Sequence, residues 1–292
     1  MRFFLVLVVM LYCNLASAGM ATRVLIQSPQ SEDDASHQYY VDLITQVLKN
    51  TQAEYGAAEI VETGFSYTQN RALKALEMGH ISVFWTGTNR KRENHYRVIH
   101  IPLMAGLLGI RVPVIRGSQL QEFLKIESPE QLKLLTACQG THWPDSDILE
   151  GNGYRVERVT KFESMYSMLR QGRCDYFPRG IGEVFAELNH GSNQDMMALD
   201  NLLFIYPMPM YIFVNKSDKQ LTERLEQGLS AMAEKGEIFK FICEHASTRD
   251  VFPLNKYVDA QFLKLSNHLL PDTTQLDNPK LWIEIKSEDI CF

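Results

Sequence analysis

The chain has 292 residues, 45% of them apolar and 10% aromatic, and a formal net charge of −6. That length and apolar content suit one large or two medium globular domains, and the acidic balance argues against a nucleic-acid surface, which draws on clustered positive charge. The eight histidines are scattered and no CxxC or His-x-x-x-His spacing occurs, so neither a metal nor a cofactor is expected.

Residues 1–18 read as a secretory leader that is cleaved from the mature chain. Arg2 supplies the positive start, Phe3 to Leu11 the apolar stretch, and Ala16-Ser17-Ala18 the small-residue cleavage site. The stretch is shorter than the ~20 residues of a spanning helix, and the bulky Tyr12 before Cys13 argues against a lipid anchor. Beyond the leader four cysteines remain, Cys138, Cys174, Cys243 and Cys291, an even count that an oxidising compartment allows to form two bridges. A Cys243–Cys291 bridge would tie down the tail. Cys138 and Cys174 lie in apolar, strand-like settings and read equally well as buried thiols.

The first half alternates strands and helices. Arg23 to Gln27 reads as a strand, Tyr40, Leu43, Ile44, Val47 and Leu48 as one helical face, Ala58 to Glu62 as a strand and Asn70 to Met78 as a helix stopped by Gly79. A short apolar run, Ile81 to Trp85, is a buried strand. Such alternation implies βαβ units and a parallel sheet, whose ligands bind beyond the carboxyl ends of the strands. There the chain places Thr86-Gly87-Thr88 and then Arg90, Lys91 and Arg92. Arginine offers a planar fork of N–H donors for a carboxylate; a solvated basic turn, with Arg92 paired to Glu93, is the bland alternative.

A second α/β unit follows the strand Arg111–Ile115. Leu135 to Cys138 is a strand ending at Gln139-Gly140-Thr141, and Asp145 or Ser146 caps a short helix. Phe162, Met165, Tyr166 and Leu169 mark a helix that ends at Gly172. The strand Cys174–Phe177 is broken by Pro178-Arg179-Gly180 and followed by a helix carrying Val184 and Leu188. Leu202 to Val214 reads as one long extended run. Ser217-Asp218 opens a helix with Leu221, Leu225, Leu229 and Met232 on one side, and Glu237 to His245 is a further helix. The last ~40 residues, with Pro253, Pro271 and Pro279, read as irregular chain wrapping the surface, with Trp282 and Ile283 packed down.

In this order the pieces ISVFWTGTNRKREN, IPLMAGLLGIRVPVIRG, ACQGTHWPDSDIL, MLRQGRCDYFPRGIGEVFAEL and LLFIYPMPMYIFVNKSD resemble the family 3 extracytoplasmic solute-binding proteins, the amino-acid-type periplasmic receptors of ABC importers. Thr88-Asn89-Arg90-Lys91-Arg92 is similar to that family's T-x-x-x-R pattern, Gly140-Thr141 to its Gly-Thr at a helix start, and Gly172-Arg173-Cys174-Asp175 to its G-R-x-D strand. The resemblance implies an α/β, two-lobed, type II periplasmic-binding fold: two parallel or mixed sheets flanked by helices and joined by two crossing hinge strands. Lobe 1 would be discontinuous, 19–112 with 210–292, and lobe 2 would be 113–209, the crossings lying near 112–116 and 206–212. It also implies a monomeric periplasmic protein whose lobes close on a ligand.

By the same resemblance Arg92 clamps a ligand carboxylate, Thr86 and Thr88 line the strand end, and Gly140 and Thr141 offer backbone N–H groups. Trp85 and Trp143 either stack on ligand or belong to the core. One departure bears on the ligand. Where the family carries, shortly after the G-R-x-D strand, an acid that pairs with the ligand's ammonium group, this chain has Phe177-Pro178-Arg179-Gly180; Glu183, a helical turn on, would be its replacement. Arg179 at the cleft would favour a second anionic group, or would pair with Asp175 or Glu183. The expected function is capture of a small anionic or zwitterionic, amino-acid-like solute and its delivery to an ABC permease. A membrane sensor protein reading the same closure is the alternative. An exported enzyme is not expected: there is no G-x-S-x-G elbow, and His142 with Asp145 is the nearest approach to a catalytic pair.

Overall fold

The computed structural model describes residues 21–31, 34, 36–189, 191–285 and 291; the leader expected at 1–18 lies outside them. In the first half the strands are β1 (Thr22–Ile26), β2 (Ala58–Glu62), β3 (Val83–Gly87) and β4 (Arg97–Ile99). Then come β5 (Ile110–Arg116), β6 (Thr136–Gly140), β7 (Arg155–Val159), β8 (Phe177–Gly180) and β9 (Met196–Ala198). The last are β10 (Leu202–Ile205), β11 (Met210–Val214) and β12 (Gln261–Lys264).

The strands pair into four hydrogen-bonded ladders, which close contacts join into two mixed sheets. In the first, β1 and β2 are parallel and joined by the helix Ser36–Asn50, whose Tyr39, Tyr40, Leu43, Ile44, Val47 and Leu48 are buried as the helical spacing requires. Ser82 ties β1 to the start of β3: its N–H donates to Leu25 O (2.7 Å) and its Oγ accepts from Leu25 N–H (3.0 Å). β11, arriving from the far end of the chain, runs antiparallel to both β3 and β4. β3 is buried along its whole length. Its alternating side chains separate two cores. Val83 and Trp85, with Ile212 and Val214, enter the main core. Phe84, with Tyr211 and Phe213, packs under the helix Gln69–Glu77.

The second sheet is built around β5, which runs antiparallel to β8, β9 and β10. β6 and β7 are parallel, and the Ala137–Tyr176 bridge joins them to the approach to β8. Cys138 and Cys174 form a disulfide across that junction, which settles the choice between bridge and free thiols.

Three local expectations are corrected. Pro178 and Arg179 lie inside β8 instead of breaking it. Pro178 faces Pro113, and their carbonyls turn away from each other, one to Gln139 Nε2 (3.1 Å) and the other to Leu199 N–H (2.8 Å). Neither missing N–H therefore removes a bond between the two strands. The run Leu202–Val214 is two strands in different sheets, because Pro207 and Pro209 cannot donate to a ladder. The tail also contains a strand: β12 runs parallel to β10.

Beyond β12 the tail bonds to both halves. Ser266 exchanges hydrogen bonds with the Asn152 side chain (2.9 and 3.1 Å), while Leu269 O accepts from Arg90 N–H (2.8 Å) and Leu270 O from the Arg90 side chain (2.9 Å). Trp282 lies on Gly106, whose φ of +84° and lack of a Cβ permit that approach, and Ile283 N–H donates to Ala105 O (2.8 Å). The Cys243–Cys291 bridge fastens the end. No helix among the described residues is long and apolar enough to cross a membrane.

Candidate functional site

The carboxyl end of β3, the start of β5, the amino end of the helix Pro144–Gly151 and the turn from β8 into the helix Ile181–Leu188 surround a cavity of about 60 Å³. Its walls thus come from both sheets. One wall is aromatic: Trp85 stacks on Tyr40 (5.3 Å, 28°) and is flanked by His37 (5.4 Å). Opposite, Trp143 lies over Phe177 (6.3 Å, 27°).

The floor is a run of buried charges. Arg111 Nη2 lies 2.5 Å from Asp145 Oδ1, which also accepts from the Tyr206 hydroxyl (2.7 Å). Glu183 Oε2 stands between two guanidiniums, 3.7 Å from Arg111 and 3.1 Å from Arg179. Arg179 also grips Glu187 with both ends of its fork (2.8 and 2.5 Å), and Glu187 accepts in addition from Tyr166 (2.8 Å). Arg179 is boxed by the rings of Trp143, Phe162 and Phe177, each 5.2 to 5.5 Å from its centre.

Burial alone would pull the Arg111 guanidinium down; Asp145, Tyr206 and Glu183 outweigh it and hold it above its ordinary value. For Arg179 the same contest ends well above the ordinary value, through Glu183 and Glu187. Burial pushes Glu187 up, against the pull of Arg179. Both of its oxygens accept from the guanidinium, the geometry of a bidentate ion pair. Two guanidiniums therefore meet three carboxylates, Asp145, Glu183 and Glu187. Three buried atoms in this wall have no hydrogen-bond partner: Tyr40 Oη, Arg111 Nε and Glu183 Oε2.

Of the residues expected at the site, Trp85, Thr86, Trp143 and Arg179 line this cavity. Arg179 does not offer a free guanidinium to it, being bound to Glu187 and Glu183; Asp175 instead accepts from Thr136 N–H (2.8 Å). Arg92 is neither a cavity wall nor a solvated partner of Glu93. It is 6% exposed and donates to Thr86 Oγ1 (3.0 Å), Gly87 O, Gln69 Oε1 (2.8 Å) and, across the cleft, His142 O (2.7 Å). With no carboxylate against it, burial lowers its pKa to about 10. Thr88 is buried beside the site and donates to Glu93 (2.7 Å).

Gly140 and Thr141 line a second cavity of about 230 Å³ at the mouth. Their backbone is less available than expected, since Thr141 N–H is bonded to Val159 O (2.9 Å) and the helix begins later, at Pro144. Gly140 instead makes room for Trp143, whose ring lies 2.4 Å from where a Cβ would stand. His142 and Asp145 do not pair: His142 meets Asn70 (3.1 Å), and Asp145 faces Arg111 and Tyr206. The sequence pattern does not single out Arg111, which opens the run Arg111–Ile115 ahead of the second α/β unit. Glu187 is not singled out either, although Arg179, Glu183 and Glu187 follow one another at helical spacing. Tyr40 was read solely as a helix-face core residue.

No protein-family model matches the chain, and neither does any curated protein. Solved structures do match in fold. An ancestral arginine-binding protein bound to glutamine superposes with a TM-score of 0.58 at 16% identity, over 78% of this chain and 99% of its own. The substrate-binding protein of an amino acid ABC transporter gives 0.55 at 13% identity, over 76% and 98%. The GluR0 ligand-binding core of Nostoc punctiforme, in complex with L-glutamate, gives 0.54 at 13% identity, over 77% and 99%. The architecture is that of the type II periplasmic binding proteins, as the resemblance in sequence implied.

Proposed function

We propose that this protein is a periplasmic receptor that takes one small, amino-acid-like solute between two lobes, without chemistry, and hands it to an ABC importer. The lobes are 19–112 with 210–292, and 113–209; β12, inside the first assignment, reaches across to β10. The observation that carries the proposal is the inner cavity. Its walls come from both sheets, it joins two tryptophans to a buried charge network, and it leaves Tyr40 Oη and Arg111 Nε without hydrogen-bond partners. Buried polar atoms are rarely left so, because each costs about 1–3 kcal/mol, and a bound solute would supply partners. Hinged closure is the motion such a chamber requires. The relatives in structure support the transport reading by what they bind and by the importer one of them serves.

Zwitterionic solutes suit the chamber better than anionic ones, since both inner guanidiniums already have carboxylates. A thermal-shift screen of amino acids, dicarboxylates and short peptides tests the proposal. A solute at a hundred times its Kd stabilises the folded chain by about 2.7 kcal/mol, so one chemical class should raise the melting temperature by several degrees. A flat response across the screen would contradict it.

A further inference from the structure

The mouth cavity is built on different chemistry from the inner one. Arg71, on the helix Gln69–Glu77, and Lys161, after β7, come to it from opposite sheets; both are exposed, and among the described residues neither pairs with a carboxylate. Hydroxyls of Ser66, Thr68, Thr141 and Thr160 line the same space, and Glu163 is its one acidic lining residue. The two cavities share walls at Gln30, Tyr67, Gln69, Trp143 and Phe162, so a single elongated molecule can occupy both. Polarity runs along that path. The inner end sets four carboxylates, Asp34, Asp145, Glu183 and Glu187, against the guanidiniums of Arg111 and Arg179, and leaves Tyr40 Oη and Arg111 Nε without hydrogen-bond partners. The outer end has two cations against one acid.

Resting on the receptor reading above, we infer that the solute is bipolar: an ammonium-type head lies inward at Glu183 and Tyr40 between Trp85 and Trp143, and an acidic group lies at the mouth between Arg71 and Lys161. At about 60 Å³ the inner space holds a handful of water-sized groups, enough for a cationic head and a few carbons. An anion there would find one unpartnered donor, Arg111 Nε, but would stand against Asp34, Asp145 and Glu183. A cation meets the excess of carboxylates and two aromatic faces. At the mouth the reverse holds, because an acid would give Arg71 and Lys161 a common counter-ion and bind the opposing sheets together.

Calorimetric titration with linear ω-amino acids of increasing length, alongside the dicarboxylate and the monoamine of each length, reads this directly. The ω-amino acids should bind, with an optimum length. The dicarboxylates should fail, and the monoamines should bind at least about tenfold more weakly, as loss of a charged hydrogen bond implies. The double variant R71Q/K161Q, altered only at exposed side chains, should melt as wild type does yet lose at least about tenfold in affinity for the best ω-amino acid, keeping its affinity for the monoamine. E183Q should weaken both. Dicarboxylates that bind as tightly as the ω-amino acids would overturn the polarity and leave the receptor reading standing. Unchanged affinity in R71Q/K161Q would overturn the mouth subsite. No binding by any member of the three series, with no hit in the broader screen, would remove both.

Discussion

Around the inner cavity Arg111 and Arg179 each press against carboxylates, whereas at the mouth Arg71 and Lys161 have none among the described residues. A desolvated cation is stable only when paired or hydrogen-bonded, so the inner arginines are bound into the fold and, Arg111 Nε apart, are not available as free anion traps. A solvated cation needs no partner and stays available. Arginine in a cleft is therefore not by itself evidence of an anion site; the state of its donors decides. Arg92 is the intermediate case, buried yet held by neutral oxygens from both sides of the cleft.

Substitutions at the two places should accordingly separate stability from binding. Arg179→Ala leaves Glu187 buried without its counter-ion and should lower unfolding free energy by about 3–5 kcal/mol, measured by urea denaturation. The paired replacement Arg179→Met with Glu187→Leu should recover much of that loss; equal destabilisation by the single and the pair would show that the charges themselves stabilise the fold. Gly140→Ala forces a methyl into the Trp143 ring and should cost about 1–3 kcal/mol, visible as a lower melting temperature and altered tryptophan fluorescence. Arg92→Met removes the bond to His142 O across the cleft. It should cost about 1–3 kcal/mol and enlarge the radius of gyration in small-angle scattering; an unchanged radius would mean the approach of the two sheets does not depend on that bond. Asn152→Ala frees the tail at Ser266 and should cost about 1 kcal/mol, with faster proteolysis after residue 265. R71Q, at the other extreme, should stay within about 0.5 kcal/mol of wild type.

The framework was legible in the sequence because it is periodic. The buried run Val83–Trp85, the helical face from Tyr40 to Leu48 and the strand Ala58–Glu62 all fall where alternation places them. The aromatic walls followed, since Trp85 and Trp143 sit next to strand and helix ends. The partners of the charged groups were not legible. Arg111 meets Asp145 and Glu183 only after β5 is laid against β8, and Arg92 meets His142 only when the two sheets approach. Pro178 misled for a local reason: proline breaks a ladder only where its missing N–H faces the neighbouring strand, a register that no stretch of sequence displays. The tail's strand was hidden by its prolines, because β12 occupies the only stretch between Pro253 and Pro271 that pairs with β10.

The central claim is that one solute occupies the space between the sheets, and a crystal structure with the tightest ω-amino acid bound tests it most directly. The account predicts that molecule among Trp85, Trp143 and Glu183, its ammonium within about 3 Å of the Glu183 carboxylate and its acid toward Arg71 and Lys161. Density for it elsewhere on the protein, with the inner cavity unchanged, would contradict the account.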